Sequence, residues 1–482
     1  MDLKESYIGM KKKLERILNF NFMSVILLSL FYTISSLNDI LWMTNLLDVL
    51  KVILLLGLTL FLLHYLIKLI KLNAQGLEVL IFLLLFIVLL LPKVHSNFYT
   101  FFDKNIKLTH LTTILICTAL FLAYQVIFKP DKRFTQVKNY LTMLMLIFIL
   151  IEISIVPGIM NEKANLRKSI SNFKSKNNLG KIPFNKSPNI YHIIFDAYTG
   201  FDALKKHWNY NDITFLKNLN TRNVEIAFGA HTCKDNTLES INALYNLSLF
   251  NHNIKFRTLA TKSNLFRQLI NNSVVPNNIA SNGYEVHNLS IFDINDEKRY
   301  WNFPWLDPNI NFTEFCFNQS LIGSLYKNIQ SKKQSSVNLE IIEALKNVIK
   351  SDKHSPLFTY AHLIMPHPPQ NFDKNGNYVG SITNSREAYL DELQYCNKIM
   401  VELIDLVRKH DPTAILILQS DHGSGMLPEV YEDEVSNILC ILVAPEEYKI
   451  EWPNNMINHN TYKYIFNALS ESSSIQTTQC QD

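Results

Sequence analysis

No Cys-x-x-Cys pair occurs in the chain, so a zinc ribbon or a thioredoxin-type site is excluded. The six cysteines, Cys117, Cys233, Cys316, Cys396, Cys440 and Cys480, are scattered, and five of them follow residue 160. An odd number cannot all pair within one chain, and the sequence assigns no disulfide. Residues 161–482 also lack a basic excess, with 31 Lys and Arg against 33 Asp and Glu. Without that excess a phosphate backbone cannot be neutralised, which excludes nucleic acid as a partner. What residues 1–160 lack is polarity. They carry 15 basic and 9 acidic residues between long Leu, Ile and Phe runs. A chain split in this way is not a single soluble domain.

Five apolar runs stand at about 19–36, 49–70, 76–92, 109–128 and 138–157. Each approaches the length that crosses a hydrocarbon core of roughly 30 Å at about 1.5 Å per residue. The first run is followed by Ser35-Ser36-Leu37-Asn38-Asp39, which is not a small-x-small cleavage site, so it reads as an uncleaved span. Basic residues cluster before the first span (Lys4, Lys11, Lys12, Lys13, Arg16), in the second loop (Lys68, Lys71) and in the fourth (Lys129, Lys132, Arg133). These segments therefore face the cytoplasm, although Lys93, Lys104 and Lys107 of the third loop dissent. Everything after residue 160 is then expected outside. His64, inside the second span, is expected to make an interhelical hydrogen bond.

Residues 161–187 are rich in Lys, Asn and Ser and read as a juxtamembrane linker between a membrane domain at 1–160 and a soluble domain at 188–482. In the soluble part, β-branched runs at 189–195, 357–364, 413–418 and 438–443 read as strands. Residues 335–350 and 385–409 have helical spacing. Alternating strands and helices predict an α/β domain with a central, mostly parallel sheet. Ligands bind beyond the carboxyl ends of such strands. Three strand ends carry chemistry: Asp196 after the first, Met365-Pro366-His367-Pro368-Pro369 after the second, and Asp421-His422-Gly423 after the third. Asp and His donors without a thiolate set suit a divalent cation of the Zn or Mn type.

These residues resemble the sulfatase-like branch of the alkaline phosphatase superfamily. More narrowly they resemble its membrane-anchored members, the lipoteichoic acid synthases and phosphoethanolamine transferases. The matching segments are PNIYHIIFDAYTG at 188–200, FTYAHLIMPHPPQNFDKNG at 358–376, LILQSDHGSG at 416–425 and NHNTYKYIFNAL at 458–469. The resemblance implies a five-span bundle in a bacterial cytoplasmic membrane with an extracytoplasmic catalytic domain. It implies one divalent metal ion held by Asp196, Asp421, His422 and a nucleophilic hydroxyl, with His367 contacting the transferred phosphate. It places that hydroxyl roughly forty residues after the first acid, where Thr237 stands.

Local chemistry favours Thr237 independently. Asn236 can cap a helix, with Glu239 three residues on, and Leu238, Ile241, Leu244, Tyr245 and Leu249 have helical spacing. A hydroxyl in that first turn lies at the helix's positive end. Thr232 and Ser240 are the nearby rivals, and Ser240 is expected to face away from the strand ends. Cys233-Lys234-Asp235-Asn236-Thr237 does not match the Cys-x-Pro/Ala-x-Arg pattern that sulfatases mature into their nucleophile. No further substrate-binding His is identifiable; His231 and His287 are weak candidates. The resulting expectation is a transferase that moves a phosphorylated head group from a membrane phospholipid to a glycan or lipid acceptor. The alternatives are a phosphate- or sulfate-ester hydrolase, and a non-catalytic ligand-binding ectodomain.

Overall fold

The computed structural model describes residues 23–40, 46–69, 74–91, 133–177, 179–250, 259–301, 312–323, 325–326, 334–383, 385–426, 431–470 and 475–480, with a few isolated positions between 115 and 122. The chain divides into two compact units. One comprises residues 1–167, 254–261 and 309–330; the other comprises 168–253, 262–308 and 331–482.

The first unit is helical, as its apolar runs require. Helices α1 (Met23–Ile40), α2 (Leu46–Leu69) and α3 (Ala74–Leu85, extended by a π turn at Phe86–Leu90) correspond to the first three runs. The fourth run lies largely outside the described residues, as does the side chain of His64. The fifth run lies within α4 (Arg133–Lys176), which is 44 residues long. Residues 161–176, expected as linker, therefore continue a helix. Their composition is polar, but Leu166 and Phe173 are buried at helical spacing, and packing overrides composition. Among the described residues, α4 is the one helix long and apolar enough to cross a membrane.

Val25, Leu28 and Tyr32 of α1 pack with Val49, Val52, Ile81, Phe82, Met145 and Ile149. A short helix from the later sequence, α6 (Phe312–Gln319), joins this core through Phe312, Phe315 and Cys316. Buried hydroxyls bond back one turn, Ser29 Oγ to Val25 O at 3.1 Å and Thr33 Oγ1 to Ser29 O at 2.9 Å. Buried Glu78 accepts from Ser24 N (3.0 Å) and Ser24 Oγ (2.7 Å) and faces Lys138 Nζ at 3.9 Å.

The second unit is built on a six-stranded sheet of order β2-β8-β7-β1-β4-β3. Its strands are β1 (Ile190–Phe195), β2 (Glu225–Ile226), β3 (Glu285–Leu289), β4 (Leu357–Leu363), β7 (Ile415–Gln419) and β8 (Cys440–Val443); β5 (Gln370–Phe372) and β6 (Tyr378–Ile382) form a separate hairpin. Strands β3, β4, β1 and β7 are parallel, β8 runs antiparallel to β7, and β2 runs antiparallel to β8. The sheet is thus mixed, with a parallel centre. Every residue of β1, β4 and β7 is buried, as parallel strands covered on both faces require.

On one face, α7 (Gln334–Lys350) brings Ile341, Leu345 and Ile349, and α8 (Arg386–His410) brings Leu393, Met400 and Leu403, against Tyr191, Ile193 and Ala361. The other face is aromatic. Tyr245 of α5 (Thr237–Asn246), Tyr462 of α9 (Thr461–Leu469) and Tyr360 of β4 surround His192, with ring centroids 5.4–5.9 Å from it. Burial lowers His192 to about 3, so the imidazole is neutral, and its Nδ1 lies 2.8 Å from Tyr462 Oη.

Candidate active site

Register explains how distant residues meet. In the parallel centre, Ile194 of β1 lies beside His362 of β4 and Gln419 of β7. Two residues on, strand alternation places Asp196 level with Asp421. Asp196 N donates to Leu363 O at 3.0 Å, and Ala197 N donates to Asp421 Oδ1 at 3.1 Å. Ala197 adopts φ 61°, a left-handed conformation that turns the chain immediately after Asp196.

Thr237 is the first residue of α5. Asn236 caps the helix, its side chain accepting from Glu239 N at 3.1 Å. The helix ends at Asn246 because Leu247 turns left-handed (φ 59°), so Leu249 lies beyond it. Thr237 Oγ1 stands 3.2 Å from His422 Nε2. His422 Nε2 is in turn 3.4 Å from Asp421 Oδ2 and 3.7 Å from Asp196 Oδ1. The structure thus brings Asp196, Thr237, Asp421 and His422 together.

The protonation pattern follows from the partners. His422 Nδ1 lies 2.7 Å from Gly423 O. A carbonyl only accepts, so Nδ1 carries a proton, and the ring in its neutral form offers a lone pair at Nε2. That lone pair faces Asp196 Oδ1 and Asp421 Oδ2, two buried oxygens with no hydrogen-bond partner. Apart from the Thr237 hydroxyl, 3.2 Å from Nε2, no hydrogen-bond donor among the described residues serves these three acceptors. Burial would lower His422, but the carboxylates of Asp421 and Asp196 outweigh it and raise the imidazole above its ordinary value. Burial would raise Asp196, but His367, His362 and His422 hold it well below the usual carboxylate range. Orphaned buried oxygens beside an imidazole lone pair fit a divalent cation of the Zn or Mn type.

His367 lies in the loop between β4 and β5, half-buried, with its Nδ1 donating to Pro368 O at 2.7 Å. It acts on Asp196 through charge. Sequence reasoning passed over His362, which is fully buried and 3.2 Å from Asp196 Oδ2 through Nε2. It reads as an ordinary interior residue of a strand; its one signal is its place next to the strand's last residue. Together Asp196, His362 and Asp421 present ligand-type atoms within 4.8 Å of one another.

The rivals for Thr237 are engaged elsewhere. Ser240 does not face away from the strand ends: its hydroxyl donates to Asp421 O at 2.6 Å and accepts from Asn458 Nδ2 at 2.7 Å. One helical turn beneath Thr237 it supports the strand-end loop, so its partners there, not its place along the helix, set its direction. Thr232 Oγ1 is buried and donates to Lys234 O or Ser240 Oγ. His231 lines a cavity of about 720 Å³ with Asp235, Glu239 and Glu432, and His287 pairs with Glu285 on β3 at 2.7 Å.

Two devices fix the loops. Buried Glu434 accepts from Thr199 Oγ1 (3.0 Å), Trp208 Nε1 (3.0 Å), Ser424 Oγ (2.9 Å) and Gly425 N (3.0 Å), tying the turn after Asp196 to the turn after His422. Cys233 forms a disulfide with Cys480, 247 residues away, clamping the segment that leads into Thr237. No spacing rule could have selected that pair. A bonded Cys233 also cannot serve as a nucleophilic thiolate.

The family model described as Sulfatase matches residues 189–463, more than half of the chain. The chain therefore belongs to the sulfatase family and is an enzyme of the sulfatase-like superfamily. None of the curated proteins matches the sequence. Among solved structures it is similar to the C-terminal periplasmic domain of the phosphoethanolamine transferase EptC from Campylobacter jejuni, at 11% identity and a TM-score of 0.39, over 61% of this chain and 97% of that one. The periplasmic domain of EptC from Escherichia coli gives 11% identity and a TM-score of 0.39, over 60% of this chain and 86% of that one. A 2-O GAG sulfatase gives 14% identity and a TM-score of 0.37, over 60% of this chain and 72% of that one.

Proposed function

We propose that the protein is a multi-pass membrane transferase that moves a phosphorylated head group from a phospholipid donor to a glycan or lipid acceptor outside the cytoplasm. The observation that carries this reading is the threonine hydroxyl at a helix N-terminus, 3.2 Å from an imidazole that two buried carboxylates face. Asp196, Asp421 and His422, with the Thr237 hydroxyl beside them, would hold one divalent cation. When bound, such a cation supplies positive charge that acidifies a nearby hydroxyl and offsets charge on a phosphate.

Thr237 Oγ1 loses its proton to solvent water and attacks the donor phosphorus as the alkoxide, the form in which it is later released, and the bond from phosphorus to the lipid alcohol breaks. His367 in its protonated form gives a proton to the departing alkoxide. The positive N-terminal end of α5 attracts the phosphoryl oxygens. An acceptor hydroxyl then attacks the same phosphorus, its proton passing back to His367, and Thr237 is released. Bonded Cys233 and the absence of a Cys-x-Pro/Ala-x-Arg motif weigh against sulfate-ester hydrolysis.

A disulfide is supported by an oxidising compartment, which agrees with an extracytoplasmic catalytic unit. Exposed apolar side chains on α2 (Leu50, Leu54, Leu58) and α4 (Leu150, Ile151, Ile153) suit contact with lipid. The basic residues near Arg16, Lys68 and Arg133 suit five spans with a cytoplasmic N-terminus.

The test is mass spectrometry of the detergent-solubilised chain after incubation with phospholipid. A phosphorylated head group on Thr237 is expected, and its mass names the donor. Thr237→Ala is expected to keep the fold and lose at least roughly a thousandfold in head-group release, as removal of a covalent nucleophile does. Thr237→Ser should keep partial activity. Full activity in Thr237→Ala would reject covalent catalysis by this residue.

A further inference from the structure

We propose that His362 is a positioning residue that presents Asp196 to the metal ion, rather than a ligand of the ion itself. The inference rests on the metal site just proposed. Proximity alone allows the opposite, since Asp196, His362 and Asp421 lie close enough to share a cation.

Hydrogen bonding decides between them. The two oxygens of Asp196 differ. Oδ2 is engaged by His362 Nε2 at 3.2 Å, whereas Oδ1 is buried without a partner. Oδ1 is also the oxygen on the side of His422 Nε2, at 3.7 Å. The other orphan, Asp421 Oδ2, is on that side too, 3.4 Å from the same nitrogen. The atoms in want of a cation therefore gather around His422, away from the oxygen that His362 already holds.

The tautomer of His362 points the same way. Its Nδ1 lies 2.8 Å from Tyr360 Oη. A lone pair at Nε2 would face the Asp196 Oδ2 lone pairs at 3.2 Å and be repelled. Nε2 therefore carries a proton and donates it to Oδ2, while Nδ1 accepts the Tyr360 hydroxyl proton. A protonated Nε2 has no lone pair to give to a metal. The ring is held in place: His362 is fully buried, Ile194 lies beside it across the sheet, and Phe292 meets it at 5.8 Å between centroids. The chain Tyr360–His362–Asp196 thus fixes one carboxylate oxygen and leaves the other free. Partners of this kind behind a metal ligand are worth about 10–100-fold in metal affinity.

The experiment measures Zn²⁺ affinity of the full chain in detergent by competition with a chromophoric chelator. Alongside it runs the visible absorption of the Co²⁺-loaded protein, which reports ligand number and type without any turnover. His362→Ala is expected to weaken Zn²⁺ binding about 10–100-fold while leaving the Co²⁺ band positions unchanged. His362→Gln retains an N–H donor and should recover most of the affinity. Tyr360→Phe should lose a smaller factor, again with unchanged bands. A shifted Co²⁺ spectrum in both His362 variants would make His362 a ligand and overturn the proposal. Unchanged affinity in all three variants would overturn it as well. Wild-type protein that binds neither ion would instead remove the metal site beneath it. Should His362→Ala fail to fold, the Gln and Phe variants still decide.

Discussion

Both units of this protein bury carboxylates, and they neutralise them in opposite ways. In the helical unit, Glu78 Oε1 accepts two hydrogen bonds from Ser24, and Oε2, without a hydrogen bond, faces the Lys138 ammonium at 3.9 Å, so its countercharge is part of the chain. In the α/β unit, Asp196 and Asp421 have only histidines as ion-pair partners among the described residues, and each keeps one oxygen orphaned. A buried charge is costly unless it is paired. A lysine beside an acid completes a structural contact; two acids and an imidazole lone pair leave the countercharge to be supplied from outside. The first arrangement holds helices together; the second suits a divalent cation.

The largest expected effect comes from removing an acid of the second kind. Asp421→Asn should leave the fold intact, abolish stoichiometric metal and with it head-group release. Metal analysis of the purified chain checks it, and retained stoichiometric metal would erase the contrast between the two units. The helical unit should respond in stability instead. Lys138→Met strands Glu78 without a countercharge and should cost about 3–5 kcal/mol, whereas adding Glu78→Gln should recover most of that loss. Thermal unfolding in detergent reads both variants, and metal content should not move in either.

The smallest effect sharpens the comparison with a third kind of buried acid. Glu392 on α8 accepts from Asn371 N at 3.1 Å and has no ion-pair partner among the described residues; burial raises its carboxyl to about 8, from 4.5. A carboxyl raised by folding is bound more tightly to its proton in the native state. Its contribution is fully present below pH 4.5 and is lost as pH rises through about 8. Glu392→Gln keeps an acceptor without the titration. It should raise the melting temperature by several degrees at pH 8 and leave it nearly unchanged at pH 4.5. An equal shift at both values would show that Glu392 stays charged.

Much of the second unit is legible in the sequence. The runs NIYHIIF, LFTYAHLI, TAILIL and ILCILV are short, β-branched and apolar, because strands buried on both faces leave no room for polar alternation. Their ends are legible too, since polar residues abruptly follow apolar ones at Asp196, His367 and Asp421. Weak strands were not: Glu285–Leu289 is an edge strand whose exposed Glu285 and half-buried Val286, His287 and Asn288 disguise it. The helix through 161–176 was hidden by its Lys and Asn content.

The sequence by itself determined which segments are apolar, where they become strands or helices, and which residues bring chemistry to strand ends, because periodicity and residue type are local properties. Tertiary structure alone decided the rest. Register across β1, β4 and β7 set Asp196 level with Asp421 and His362 behind it. Packing turned Ser240 toward Asp421 O rather than away. Chain closure joined Cys233 to Cys480. Each depends on residues far apart in the chain, and which oxygen of Asp196 remains free is settled only when a histidine more than 160 positions later takes the other.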